Sequence, residues 1–466
     1  MSEQPRRTRR RRAESDTQQH ENPLVNELER LKENFSGTAD KIIKDIKRQE
    51  RIMARSDKRQ RKEYDELQQR LIEVQGLQEA QKKLLDSFIE LIAGAIDAKS
   101  KYTGGHCNRV PILANMLGKA ASESGEGIFE DFQLSERDAH ELNIAAWLHD
   151  CGKVVTPEYV VDKATKLETI YNRIHEIRNR FEIIHRDLTI ESLQRIIAGE
   201  EKASVEQWLA EEHAKLQEEF AFIAKANVGG EFMRDEDQQR VRDIGKREWT
   251  RYFDDRLGLS SEELRLIGDE AAETPARETL LADKPRHIIP REHFDYDEYE
   301  RMGFKMPVPD ALYNRGEIFN LTIAKGTLTY EERFKINEHM VMTIKMLEQL
   351  PFPDHLKNVP LYAGAHHETM IGTGYPRQLT KDDMPIPSRI MAIADVFEAL
   401  TAADRPYKDA KTLSMSIKIM SFMVKDQHLD RDIFELFLKS GVYKQYAEAY
   451  LKPEQIDEVD IDQYLS

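Results

Sequence analysis

A carboxylate that ends an apolar helix is costly to bury alone. Asp150 stands at such a place. In LSERDAHELNIAAWLHDCGK, Ser135 reads as an N-cap with Asp138 at the third helical position. Leu142, Ala146 and His149 then share one face, so His149-Asp150 ends a mostly apolar helix just before Gly152. Asp395 poses the same problem in RIMAIADVFEALTAADRPYK, flanked by Ile393, Val396 and Leu400. His106, one turn before Val110, opens a helix after Thr103-Gly-Gly. His339 follows a Thr329/Glu332 capping box, and His366-His367 precede a glycine-flanked Tyr-Pro in HHETMIGTGYP. Five histidines and two aspartates on helix ends or apolar faces are a mixed nitrogen and oxygen donor set, suited to divalent ions. Seven donors exceed the needs of one ion once water is admitted. Two ions about 3.5–4 Å apart would use them, generate hydroxide near neutral pH and stabilise in-line phosphoryl displacement. Spacing alone does not show that these helices meet.

The rest of the chain is organised around those motifs. From about Pro23 to Ile96 it is almost free of breakers and helical in period. Tyr64, Leu67, Leu71 and Val74 follow a 3-4-3 spacing that resumes at Leu85, Phe88, Ile92 and Ala95. Strict heptads put Gln78 and Gln81 in the seam; counting through Leu77, Gln81, Leu84 and Phe88 needs a stammer instead. A coiled-coil stalk over 23–96 is expected, with a homodimer as its consequence. A single amphipathic helix packed on its own domain is the other reading. Residues 1–22, with six arginines in the first twelve, read as a disordered basic tail. Residues 167–319 read as a helical insertion. Its expected parts are a stripe of Leu167, Tyr171, Ile174, Phe181 and Ile184, charged helices near 203–226 and 234–257, and a closing loop PRHIIPREHFDYDEYERMGF. His175 and His185 in it read as surface groups. Residues 454–466 read as an acidic tail. The expected fold class is all-α.

Composition narrows the function. The net charge of −16 argues against a nucleic-acid binder. Charged residues make up 33%, mean hydropathy is −0.65, and no apolar run suits a membrane span. No secretory signal is read at the N-terminus. Cys107 and Cys151 do not suggest a disulfide scaffold, so a cytoplasmic setting is expected. Each follows a candidate site residue and reads as a small buried hydrophobe.

HD…GK, the helix of His339, HHE…GTGYP and AD…RPYK occur in the order found in HD-GYP domain proteins, and the chain resembles that family from Asp86 to about Asp426. These are all-helical members of the HD phosphohydrolase superfamily, and many hydrolyse cyclic di-GMP. The resemblance implies an HD-GYP domain over 86–453, interrupted by the insertion. It implies a two-metal core of His149, Asp150, His339, His366, His367 and Asp395, with His106 near or on a metal. Lys153 would sit beside the scissile phosphate, and Asp150 with it would be catalytic. Arg405 and Lys408 would bind phosphates, and Gly374, Tyr375 and Pro376 would form a lip. Iron or manganese is expected, with magnesium as an alternative. Cyclic di-GMP would be opened to pGpG or GMP by a metal-bridged hydroxide. Tyr102 replaces the glutamate of members with a third metal, and Thr369 and Ile371 depart from the usual basic residue and Asp. Those departures motivate an alternative, a weak or inactive cyclic di-GMP receptor that signals through a protein partner. Hydrolysis of another cyclic dinucleotide is a further alternative. The RPYK motif and the lip argue against a diiron oxygenase.

Overall fold

The computed structural model describes residues 23–99, 105–230, 232–268, 273–402 and 411–465. The expected tail 1–22 lies outside them. The first helix, α1 (Pro23–Lys99), contributes to two compact units, one ending at Leu84 and the other beginning at Leu85. In the first unit α1 is solvated on all sides: Tyr64, Leu67, Leu71 and Val74 are all exposed. In the second unit its packed face is Ile89, Ala93 and Ile96. Leu85 and Ile92 lie beside that face, whereas Phe88 is 58% exposed and Ala95 is exposed. The expected 3-4-3 seam is therefore not the packed stripe here. A single helix docking on a globular core presents its residues at a 3.6 period, one position away from the heptad count.

The second unit continues with α2 (His106–Ser124), α3 (Glu136–Leu148) and a short α4 (Glu158–Val161). Ser135 and Asp138 cap α3 reciprocally, as the spacing predicts. The insertion then supplies α5 (Ile174–Ile197), α6 (Lys202–Val228), α7 (Asp235–Gly245), β1 (Glu248–Arg251), α8 (Ser261–Ile267), β2 (Ala276–Thr279), β3 (Ile288–Pro290), α9 (Tyr296–Arg301), β4 (Ala311–Asn314) and α10 (Glu317–Leu321). β1 pairs antiparallel with β2, and β3 with β4. The core resumes with α11 (Tyr330–Glu348), α12 (Val359–Gly364), α13 (Ile386–Thr401), α14 (Leu413–Lys425), α15 (Arg431–Lys439) and α16 (Val442–Tyr450). The architecture is all-α, with two small two-stranded ribbons among the described residues.

Three expectations inside this unit are corrected. The helix expected over 234–257 ends at Gly245, where Leu281 packs so closely that an added Cβ would lie 3.1 Å from it; the chain then turns into β1. The pairing partner lies some thirty residues downstream, out of reach of local pattern. Leu167 and Tyr171 precede α5 rather than riding on it; Leu167 is buried in the insertion core, and Tyr171 is half exposed. Residues expected as an acidic tail instead pack on the main core through Ile456, Val459, Ile461, Tyr464 and Leu465. Gln455 anchors that segment, donating to the carbonyl of Thr401 (2.8 Å) and to that of Lys411 (3.2 Å).

Three apolar clusters result. The largest joins α1, α2, α3, α11, α12, α13, α14, α15 and α16. A second fills the insertion around Phe181, Ile223 and Val241. A third, Tyr299, Phe304 and Met306 with Phe334, Val341 and Ile344, packs the end of the insertion on α11. The closing loop is thus ordered by aromatic burial and contains β3 and α9.

Candidate metal centre

Helix ends deliver the polar side chains into one buried place. Thr329 accepts from Glu332 N, and Glu332 returns the bond, starting α11 two and a half turns before His339. Gly152 lets α11 approach the His-Asp turn: a Cβ there would lie 1.9 Å from the carbonyl oxygen of His339. Thr343 seals the same contact. Its hydroxyl accepts from Gly152 N at 2.9 Å and donates to the carbonyl of His149 at 3.2 Å.

Three histidines are set by the same local device. Nδ1 of His149, His339 and His366 donates to the carbonyl three residues earlier, on Ala146 (2.7 Å), Ile336 (2.6 Å) and Ala363 (2.8 Å). This occupies Nδ1 and turns Nε2 toward the site. Nε2 of His339 and of His366 is buried without a hydrogen-bond partner, and so is Oδ1 of Asp150. Buried polar atoms are ordinarily paired.

The donors form two groups. His106, His149 and Asp150 bring their ligand atoms within 4.8 Å of one another, and so do His339, His366 and His367. Asp150 reaches both. Its Oδ2 lies 3.3 Å from His106 Nε2 and 3.2 Å from His149 Nε2, and its Oδ1 lies 3.4 Å from His339 Nε2. Asp395 Oδ1 is 3.2 Å from His106 Nε2 and 3.7 Å from His149 Nε2. This donor set fits divalent ions: buried imidazoles and carboxylates whose ligand atoms converge.

Electrostatics follow from burial and proximity. Burial opposes charge on Asp150, but the Lys153 and His149 charges and the bonds from His106 and His149 hold its carboxyl well below the usual range. Asp395 is held low in the same way against its burial, through His106 and His149. Burial also opposes protonation of His106, yet its bonds to Asp150, Asp395 and Glu398 raise it well above its ordinary value. His149 rises to about 9, since Asp150 and Asp395 outweigh burial. Burial and the His149 charge push His366 down to about 4, and burial with His366 beside it pushes His367 well down. Lys153 Nζ sits 2.5 Å from Asp150 Oδ2.

The turn after His367 is tightly determined. A Cβ on Gly374 would lie 2.4 Å from Glu368 Cα, so only glycine fits. Tyr375 stacks on His367 with ring centroids 4.9 Å apart, and a cis bond joins it to Pro376. Buried Glu368 accepts from Arg377 N (2.7 Å) and Leu379 N (3.0 Å), closing the loop. Lys305 N donates to the Pro376 carbonyl at 2.8 Å, which ties the insertion to this turn. Thr369 accepts from Thr373 N at 2.8 Å, and Ile371 is half exposed.

The sequence reading missed two groups. Glu398 is buried and bonds Nδ1 of His106; its other oxygen accepts from Arg109 Nε at 2.7 Å. Spacing could have found them, because Glu398 lies one turn after Asp395 and Arg109 three residues after His106. Arg405, Lys408 and Tyr102 lie outside the described residues. His175 is exposed; His185 is half-buried and stacks on His213 at 3.6 Å. Both cysteines are buried as free thiols. Burial pushes the Cys107 thiol well up and that of Cys151 to about 12, so neither is a thiolate at neutral pH.

Residues 276–433 match the HD domain family model. The match contains His339, His366, His367 and Asp395; His106, His149 and Asp150 precede it. The chain is 44% identical over 80 residues to 3'3'-cGAMP-specific phosphodiesterase 1 of Vibrio cholerae, covering 17% of this chain and 18% of that protein. It is 46% identical over 136 residues to 3'3'-cGAMP-specific phosphodiesterase 2 of the same organism, covering 29% and 24%. It is 32% identical over 141 residues to a cyclic di-GMP phosphodiesterase of Pseudomonas aeruginosa, covering 30% of each. The chain thus spans less than a third of the length of each of these relatives.

Proposed function

Because residues 276–433 match the HD domain family model and the buried donors gather in one place, we propose that this chain is an HD-type phosphohydrolase, a metal-dependent phosphodiesterase of cyclic dinucleotides with cyclic di-GMP as a substrate. The observation that carries this reading is the set of buried, unpartnered donor atoms at Asp150 Oδ1, His339 Nε2 and His366 Nε2. His106, His149, Asp150 and Asp395 would hold one divalent ion and His339, His366 and His367 a second, with Asp150 reaching both. Two such ions, iron or manganese with magnesium as the alternative, would supply Lewis acidity and an activated water for in-line attack at phosphorus. Everything else is done by the chain. The bonds from Nδ1 to helix carbonyls aim the imidazole lone pairs. Glu398 and Arg109 orient His106 from behind. The Lys153 ammonium, beside Asp150, offsets charge gathering on the phosphate oxygens. Gly374, Tyr375 and Pro376 shape the entrance, and Arg405 and Lys408 would grip the non-reacting phosphate. Water adds to phosphorus, the P–O3' bond breaks, and a linear dinucleotide with a 5'-phosphate leaves; a second cut gives mononucleotides.

A second substrate reading has its own support. The two cGAMP-specific relatives are 44% and 46% identical over their aligned segments, against 32% for the cyclic di-GMP relative. The hybrid cyclic dinucleotide is therefore the competitor to cyclic di-GMP. We assign the exposed apolar positions of α1 before Leu84 to pairing with a second copy of this chain in a coiled-coil homodimer. Among the described residues no helix is long and apolar enough to cross a membrane, and we place the protein in the cytoplasm, with a protein partner supplying its signal.

The deciding experiment measures metal content and turnover of the full chain loaded anaerobically with iron or manganese. Both dinucleotides are supplied separately. About two ions per chain and a linear product are expected, and the larger kcat/KM names the substrate. Two ions with no product from either would replace the enzyme by a cyclic-dinucleotide receptor. No bound metal would remove the reading altogether.

A further inference from the structure

The last turn of α1 is fastened to both polypeptide segments that open the site. Asp97 is buried, 7% exposed. Its Oδ2 accepts from Gly105 N at 3.1 Å and its Oδ1 from Cys107 N at 3.5 Å. These amides flank His106, the first residue of α2. That helix has no side-chain cap of its own, because Gly105, in the left-handed region at φ 89°, stands at the cap position. The first amides of a helix have no partner within it. Asp97 therefore serves as a cap supplied by another helix, and the anion is well placed at the positive end of α2. Two residues later, Lys99 Nζ donates to the carbonyl of Lys153 at 3.3 Å and to that of Val154. Those carbonyls lie in the turn that follows Asp150. One helical turn thus grips the start of α2 and the end of the His-Asp segment.

We propose that Asp97 and Lys99 are positioning residues that set the separation of His106 from His149-Asp150. This rests on the metal-site reading above. A cap that merely stabilised α2 would affect folding and leave the donor geometry alone. Here the capped residue is itself a donor, and Lys99 holds the opposing donors from the same turn.

The test uses the full chain and manganese(II) alone as the probe. Binding is followed by electron paramagnetic resonance and metal content, thermal unfolding is followed in parallel, and Asp97→Ala, Asp97→Asn, Lys99→Met and Thr412→Ala are compared. Thr412 caps α14 by accepting from Met415 N, and α14 carries none of the metal-donor residues. Asp97→Ala should weaken one of two manganese ions by about 10–100-fold, the range for losing a group that orients a ligand. Asp97→Asn, which retains one acceptor oxygen, should fall between it and wild type. Lys99→Met should weaken the same ion, and it carries the test if Asp97→Ala does not fold. Thr412→Ala should lower the melting temperature and leave manganese affinity intact. Wild-type affinity in both Asp97→Ala and Lys99→Met would overturn the inference alone. Wild type without manganese would overturn the metal-site reading beneath it.

Discussion

The core and the insertion treat their buried polar groups in opposite ways. In the insertion, and around Lys163 where it meets α11, buried charge is satisfied by protein, although Glu331 Oε2 on α11 is left without a hydrogen bond. Lys163 Nζ meets both oxygens of Glu332 at 2.7 and 2.8 Å and Asn320 Oδ1 at 3.3 Å. Lys166 donates to the carbonyls of Leu321 and Ile323, both at 2.8 Å. Glu317 receives Arg180 and the amide of Ala282. In the insertion, Trp249 Nε1 is the buried side-chain atom left over among the described residues. The core leaves imidazole and carboxylate atoms bare, and they face one another. An unpaired buried polar atom costs about 1–3 kcal/mol. A fold carries several such atoms in one place when something else completes them. Thr156 Oγ1 and Ser440 Oγ are also left over singly, but the imidazole and carboxylate atoms are gathered in one place.

The largest effect should come from the bare side of that contrast. Asp150→Ala removes the carboxylate common to both donor groups and should lower turnover by at least roughly 10²–10³-fold, with metal content falling too. A variant with undiminished metal and turnover would break the assignment. On the satisfied side, Glu332→Ala strands Lys163 in the interior. Such a loss costs about 3–5 kcal/mol, read by urea unfolding; a loss under about 1 kcal/mol would mean that water reaches the ammonium.

Lys166 gives a pH test. Burial lowers its pKa to about 8 from 10.5. Between those values the unfolded chain holds a proton that the folded chain has released. Stability should therefore rise as pH goes from 8 to 10.5, by up to about 3 kcal/mol, and the penalty is complete below pH 8. Lys166→Met should flatten that rise relative to wild type; parallel curves would show that Lys166 is not the group responsible. The smallest effect is expected at Ile371→Asp. The side chain is half exposed, so kcat should change by less than about threefold, a shift under 1 kcal/mol. A tenfold gain would mean that the missing carboxylate was limiting.

Local chemistry made much of the core legible. The capping boxes at Ser135 and Thr329 and the apolar setting of Asp150 and Asp395 needed only short-range pattern. The convergence of seven donors spread over nearly 300 positions could not be read from spacing; the order of the motifs suggested it through resemblance. Glu398 and Arg109 lie one turn from Asp395 and three residues from His106, so spacing could have marked them, but their pairing across α2 and α13 shows only in the fold. The insertion was least legible. β1 exists because Ala276–Thr279 lies beside it, and the aromatic loop orders because α11 offers Phe334 and Ile344. Both depend on distant partners.

The bond from the imidazoles of His149, His339 and His366 to a carbonyl three residues back has a further consequence. It ties the bearing of each lone pair to the phase of its own helix. One residue added between Thr329 and His339 would turn the imidazole by about 100° around the axis of α11 while preserving cap, tautomer and local hydrogen bonds. The ten-residue count from cap to histidine is therefore a dial setting, and an insertion there should silence the site more completely than many substitutions within it.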